Sequence, residues 1–283
     1  MRYGSRMLTK EHPLFHYGGF LLDVDGVLVR GGRALPGAIQ ALATLSNHGK
    51  ALLLTNNSTS SRTAAIGKLA SLGLPMESTG LIPSSYVAAH YLLENHGPVA
   101  VWPVGEAGLA EELRLAGHRI VESPTDAAWV VAGMDREIDY RKLDQALQAL
   151  LAGARLLATN RDPTYPAAGG FHPGAGAIIG ALEGTGYPPD VVVGKPSPIP
   201  YSMAVRELGL PCGQLLMIGD RLDTDIAGAS RAGIASALVL SGVTSEDELA
   251  GSALRPTWIA RDLAALACGD VRPGSLREPP PKV

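Results

Sequence analysis

The feature that most limits the fold is a set of short apolar runs, each closed at once by a polar loop. FLLDV at residues 20–24 ends in Asp and Gly, KALLLT at 50–55 runs into TNNSTSS, DVVVG at 190–194 into KPSP, and QLLMIGD at 214–220 into RLDTD. A brief continuous apolar run is the pattern of a strand buried on both faces, as in a parallel sheet. Between the runs lie segments with apolar residues at helical spacing. GAIQALATLSNHG stops at Gly49, a second helix spans about 62–72 and stops at Gly73, and IPYSMAVRELG and DIAGASRAG supply two more. SALVLSG reads as a further strand. Strands alternating with helices predict a doubly wound, Rossmann-like parallel α/β core.

A second block interrupts that core. VAVWPVG, AAWVVAGMD and ARLLATN read as strands, separated by helices near 109–116 and 140–151. They predict a smaller α/β domain inserted over residues 98–189, leaving 1–97 and 190–283 as the core; exposed loops with close ends accept such insertions. The tail from about 270, ending in REPPPKV, reads as disordered. With 46% hydrophobic residues in 283, the chain can bury a core, and a net charge of -3 with no polybasic run argues against nucleic acid or an anionic membrane as partner. Cys212 and Cys268 are the only cysteines, which argues against a zinc site or disulfide scaffold and fits a reducing cytoplasm. No signal-peptide pattern and no apolar run of about 18 residues is present, so a soluble cytoplasmic protein is expected.

In a parallel α/β sheet, ligands bind beyond the carboxyl ends of the strands, where the four loops lie. Asp23 and Asp25 would share one side if their strand stayed extended, whereas a turn at Gly26 would fan them apart; Asp-Gly also suits a plain strand-ending turn. Thr55, Asn56 and Asn57 offer a hydroxyl and backbone amides to a phosphate oxygen, or else a simple helix N-cap. Lys195 can neutralise a carboxylate and a phosphate, or sit solvated at the surface. Asp220, Asp223 and Asp225 suit a hard cation such as Mg²⁺, although an acid here also caps the following helix.

The coincidence of the four is more telling than any one. DVDGVL, LLLTNNS, VVVGKPSP and MIGDRLDTDIAGA, in that order, resemble the four motifs of the haloacid dehalogenase superfamily of phosphatases, over residues 19 to about 249. The large insert between TNN and the Lys resembles the para-nitrophenylphosphatase and phosphoglycolate phosphatase branch, which carries a large α/β cap. The resemblance implies Asp23 as nucleophile, Asp25 as general acid and base, Thr55 and Asn56 (with Asn57 beside them) as phosphate-binding, and Lys195 as the cation. It implies Asp220 as the ligand of a Mg²⁺ shared with Asp23 and the backbone carbonyl of Asp25, and Asp225 as an acid supporting that site.

The expected reaction is Mg²⁺-dependent hydrolysis of a small phosphate monoester (phosphoglycolate, glycerol phosphate or a sugar phosphate) through an aspartyl-phosphate. A nucleoside monophosphate or pyridoxal phosphate is an alternative substrate, and a phosphotransferase or mutase a near rival. A non-catalytic binding or regulatory protein on the same fold is the alternative of another class; it would be expected to have lost Asp23, Asp25 or Asp220. His172 in GGFHPGAG, with Arg161 and Asp162 in ATNRDPTYP, lies in a segment resembling this branch's substrate-specificity loop, or else in a Gly/Pro loop that only packs. The expected partner is a small phosphorylated metabolite, with no nucleic acid and no membrane. A homodimer through the cap is one assembly open to such a chain.

Overall fold

The computed structural model describes residues 8–76, 79–167 and 169–274. Its chain divides into two compact units, one of Met1–Leu54, Leu69–Leu81 and Tyr201–Val283, the other of Thr55–Lys68 and Ile82–Pro200.

The first unit is built on a seven-stranded sheet. Its spatial order is Arg272–Pro273, Trp258–Ala260, Ala235–Val239, Leu215–Gly219, Gly19–Leu22, Lys50–Thr55 and Thr79–Pro83. The central strands pair in parallel, with Leu22 opposite Ile218 on one side and Leu53 on the other. Phe20, Leu21, Leu22, Met217 and Ile218 are all fully buried, as the continuous apolar runs require. The chain leaves Gly19–Leu22 toward Lys50–Thr55 and later returns on the other side as Leu215–Gly219. The boundary between those two neighbours is therefore the switch point of a doubly wound sheet, where a crevice opens at the carboxyl ends. Asp23 and Asp220 are the residues immediately beyond those two strands.

The second unit has a five-stranded parallel sheet in the order Val191–Val192, Arg155–Ala158, Trp129–Ala132, Ala100–Val104 and Arg119–Ile120. Helices Tyr140–Leu151 and Ala175–Glu183 bury Ala146, Ala149, Leu150, Ile178, Ile179 and Leu182 in one cluster with Val130, Leu156 and Val104. Asp139 starts the first of these helices by accepting from the Lys142 N–H at 2.7 Å.

Three features differ from the sequence expectation. The apolar run at 190–194 pairs with Arg155–Ala158 in the five-stranded sheet, not with the core strands. An apolar run shows that a strand is buried but not which sheet receives it. Here Asp190 fixes the choice by accepting from Leu156 N–H at 2.9 Å and from the Arg155 guanidinium at 3.0 Å. Burial opposes its charge, yet those donors hold its carboxyl below the usual range. Residues 159–176 are not merely a loop, because Thr164–Ala167 and Gly170–Pro173 form an antiparallel hairpin. The tail expected to be disordered from about 270 contributes the edge strand Arg272–Pro273, antiparallel to Trp258–Ala260; residues 275–283, with most of that tail, lie outside the described residues. Among the described residues no helix is long and apolar enough to cross a membrane.

Tyr201 ties the helix Pro198–Leu208 to the turn that carries Asp225. It is fully buried, and its hydroxyl lies 3.1 Å from the Asp225 carbonyl and 3.3 Å from that of Thr224. Gly228 leaves it room, since a Cβ there would lie 2.4 Å from the hydroxyl oxygen. Tyr201→Phe is expected to lower unfolding stability by about 1–3 kcal/mol, because it strips a buried acceptor of its donor. Urea denaturation should show a lower midpoint at unchanged slope.

Candidate active site

Asp23, Asp220 and Asp225 come together at the switch point. All three are buried, and each offers a carboxylate oxygen within 4.8 Å of those of the others. The strands dictate this. Asp23 N–H donates to Ile218 O at 2.9 Å, continuing the parallel ladder one residue beyond Leu22 and setting Asp23 beside the end of the neighbouring strand. After Gly219 the chain enters a wide helical turn, Leu222–Ile226, that folds Asp225 back on the strand end. Asp225 Oδ2 then accepts from the N–H groups of Asp220 and Arg221 at 3.2 and 3.1 Å. Gly219 is required, because a Cβ there would meet the Asp225 Cβ at 2.2 Å.

Asp220 is enclosed by glycine. Its Oδ2 accepts from Val243 N–H at 2.7 Å, and a Cβ on Gly26 or Gly242 would lie 2.3 or 1.8 Å from that oxygen. Gly26 also sits at φ +85°, a conformation that L side chains rarely adopt. Ser241 Oγ donates to Gly26 O at 2.7 Å and Arg30 to Gly242 O at 2.9 Å, so the two glycine turns hold each other. An all-oxygen set of buried carboxylates fits a hard divalent cation such as Mg²⁺. Asp25 is not one of the three carboxylates. The strand ends at Leu22, the turn brings Gly26 N–H to Val29 O at 2.8 Å, and the Asp25 side chain is exposed.

In the second unit the motif residues after Lys50–Thr55 form a separate polar cluster. Asn56 Nδ2 lies 3.1 Å from each carboxylate oxygen of Asp162 and 3.0 Å from Lys195 O, while its Oδ1 accepts from Lys195 N–H at 2.8 Å. Its carbonyl accepts from Ser84 Oγ at 2.6 Å and Asn160 Nδ2 at 2.7 Å. The Asn56 side chain is thus spent on Lys195 and Asp162. Thr55 Oγ1 accepts from Asn57 N–H at 3.1 Å, which curls the backbone there into a turn. Asn57 is exposed, whereas Lys195 is only 3% exposed despite its charge.

The same loop is fastened further along. Ser58 Oγ accepts from Met134 N–H, Ser85 Oγ donates to Ser60 O, and the buried Glu112 carboxylate accepts from Arg62 N–H at the start of the helix Arg62–Ser71. Burial pushes the Glu112 carboxyl above the usual range against that hydrogen bond. His172 is exposed on the hairpin, opposite Tyr165, with ring centroids 5.7 Å apart edge to face. Arg161 is engaged by Glu183 in an ion pair.

Sequence reasoning missed Gly242, Val243, Asp162 as a partner of Asn56, and Glu112. Gly242 and Val243 carry no side-chain chemistry to announce them. A signal did exist, because SALVLSG is another apolar run ending in a polar loop.

Two family matches cover the two ends of the chain: the haloacid dehalogenase-like hydrolases over residues 20–119 and a HAD-hydrolase-like family over 192–266. The chain is 36% identical to the sugar-phosphatase AraL of Bacillus subtilis, over 86% of this chain and 90% of that protein. The chain belongs to the haloacid dehalogenase-like hydrolases. Its fold matches the p-nitrophenyl phosphatase from Archaeoglobus fulgidus with a TM-score of 0.82 and 35% identity, covering 89% of this chain and 98% of that one. It also matches the magnesium complex of a glycerol phosphate phosphatase from Mycobacterium tuberculosis with a TM-score of 0.83 and 34% identity, covering 92% and 78%. With this family and these relatives, the chain is a phosphoric monoester hydrolase.

The glycine enclosure gives a direct test of the carboxylate cluster. Gly242→Ala places a methyl group against Asp220 and is expected to weaken Mg²⁺ or Mn²⁺ binding, read by titration calorimetry, by about tenfold or more, as overpacking of 1–3 kcal/mol implies. Gly251→Ala, where a Cβ meets nothing within 4 Å, is the matched control and should bind metal as the parent does.

Proposed function

We propose that the chain hydrolyses a small phosphate monoester of the glycerol phosphate or sugar phosphate class through an aspartyl-phosphate on Asp23. The observation that carries this reading is the buried group Asp23, Asp220 and Asp225 at the switch point of the parallel sheet. The relatives named as phosphatases of sugar phosphates and glycerol phosphate support the substrate class.

Phosphate monoester hydrolysis is among the slowest uncatalysed reactions, and catalysis of it is largely positioning plus charge stabilisation. One Asp23 oxygen attacks phosphorus as the bond from phosphorus to the substrate oxygen breaks. Asp25 gives its proton to that departing oxygen, then takes one from the water whose oxygen attacks the aspartyl-phosphate. The bond from Asp23 to phosphorus breaks, and inorganic phosphate and the free carboxylate result. The exposure of Asp25 suits a group that must meet both leaving group and water. Asp23, Asp220, Asp225 and the backbone carbonyl of Asp25 would hold Mg²⁺, which supplies positive charge beside the Asp23 carboxylate and the phosphate dianion. Lys195 is the protein's own cation for that phosphate, with the Thr55 hydroxyl and the Asn56 N–H as donors, while the Asn57 N–H holds the Thr55 hydroxyl oxygen in place. The 98–189 insert serves as the cap, and His172 on its hairpin reads the leaving group.

Asp23→Asn keeps the side-chain shape but is a poor nucleophile and ligand. It is expected to lower kcat on p-nitrophenyl phosphate at least ~10³-fold with an unchanged circular dichroism spectrum. Residual activity above about a tenth of the parent would remove Asp23 from the mechanism. Excess EDTA should abolish turnover, and added Mg²⁺ should restore it. His172→Ala should change the ratio of kcat/KM between glycerol phosphate and a sugar phosphate while sparing p-nitrophenyl phosphate; equal factors on all three would move leaving-group recognition elsewhere.

A further inference from the structure

We propose that Asp162 is a positioning residue for Lys195, acting through the side-chain amide of Asn56; this rests on the reading of Lys195 as the cation for the substrate phosphate. An asparagine amide has a donor end and an acceptor end of nearly the same shape, and its neighbours decide which way round it lies. An ionised carboxylate only accepts. Both oxygens of Asp162 stand 3.1 Å from Asn56 Nδ2, so the donor end must face Asp162. That orientation leaves Oδ1 free to take the Lys195 N–H at 2.8 Å, while Nδ2 also donates to Lys195 O at 3.0 Å. The amide thus grips both backbone groups of Lys195, as a neighbouring strand would. Turned over, it would set Nδ2 against the Lys195 N–H and Oδ1 against its carbonyl, losing both bonds.

Asp162 is itself held so that it can impose this choice. Its N–H donates to Asn160 Oδ1 at 3.0 Å, and its carbonyl accepts from Gly176 N–H at 2.9 Å. Gly174 lies against that carbonyl closely enough that a Cβ would come within 2.3 Å. Asn160 in turn donates to Asn56 O at 2.7 Å, so the two ends of the Asn56–Asp162 contact are joined twice. Gly194, just before Lys195, admits the arrangement, because a Cβ there would lie 2.7 Å from Asn56 Oδ1. Asp162 therefore acts on the group that meets the phosphate, not on the leaving group, although it lies in the segment expected to read the leaving group.

The test is kcat/KM on p-nitrophenyl phosphate, glycerol phosphate and a sugar phosphate, with the inhibition constant of inorganic phosphate. Asp162→Ala is expected to lower kcat/KM by the same factor on all three substrates, about 10- to 100-fold, since a displacement near 1 Å can cost about 10². Phosphate inhibition should weaken in parallel. Asn56→Asp, which turns the amide donor into a second carboxylate facing Asp162, should give the same uniform loss and provides a second route if Asp162→Ala does not fold. Asp162→Asn retains an acceptor oxygen and should recover most of the activity. In an Asn56→Ala background, Asp162→Ala should cost less than about twofold, because the link is already cut. Factors that differ between leaving groups, or losses that multiply in the double variant, would overturn the proposal. Lys195→Ala with parental kcat/KM would remove the underlying reading of Lys195; an inactive Lys195→Ala beside an unimpaired Asp162→Ala would sink the positioning role alone.

Discussion

Everything at the sheet's switch point follows from three carboxylates being buried within 4.8 Å of one another. Like charges at that spacing repel by roughly 3 kcal/mol per pair at an effective dielectric near 20, and each also loses hydration. Backbone donors offset part of this: Val243 N–H serves Asp220, and two N–H groups serve Asp225. A divalent cation offsets far more, so this geometry makes sense as a metal centre and poorly as a solvated acidic turn. The surroundings are built to prevent relaxation. Gly26, Gly219 and Gly242 each stand where any side chain would push an aspartate out of the group. Their close approach trades backbone freedom for a cluster that cannot spread.

The second unit solves a different problem with the same economy. A buried lysine is costly to hold in place by its own flexible stem, because a long side chain has much rotamer entropy to lose. The structure instead fixes the backbone from which the stem starts. Asn56 matches the N–H and C=O of Lys195 at once, and Asp162 reinforces that orientation by accepting from the donor end of the amide.

The architecture was legible from the apolar runs because burial on both faces removes polar alternation, and the runs at 20–24, 50–55 and 214–220 reappear in the central sheet. Asp23 and Asp220 were legible because each falls directly beyond a strand's carboxyl end, where the parallel topology concentrates whatever follows, whereas Asp225 was legible only from the acidic motif GDRLDTD, because a wide helical turn brings it back to the strand end. Sheet membership was not legible. Val191 and Val192 look like any core strand, and their pairing with Arg155–Ala158 depends on Asp190 meeting Leu156 and Arg155, a contact between segments about 35 residues apart. The role of Asn56 was hidden for a related reason. An Asn beside Thr in a polar loop advertises hydrogen bonding but not the partner, and its partners lie 106 and 139 residues away.

The loop after Lys50–Thr55 changes how the insert should be understood. Thr55–Lys68 belongs by its contacts to the second unit, with Lys195, Asp162 and the hairpin. The ties run along its whole length: Asn56 to Ser84 and Asn160, Ser58 to Met134, Ser60 to Ser85, Arg62 to Glu112. Gly108 closes the set, since a Cβ there would lie 2.2 Å from the carbonyl carbon of Ser60. On the proposed function, substitutions in the insert would therefore act by two routes. Those on the hairpin, such as at His172, would change the groups proposed to read the leaving group. Those at Glu112, Gly108 or Asn160 instead disturb the backbone that presents Thr55, Asn56 and Asn57, so their effect would fall on the phosphate common to every substrate. On that reading, a uniform loss of kcat/KM across phosphate esters would mark the loop's supports, and a redistribution among esters would mark the hairpin.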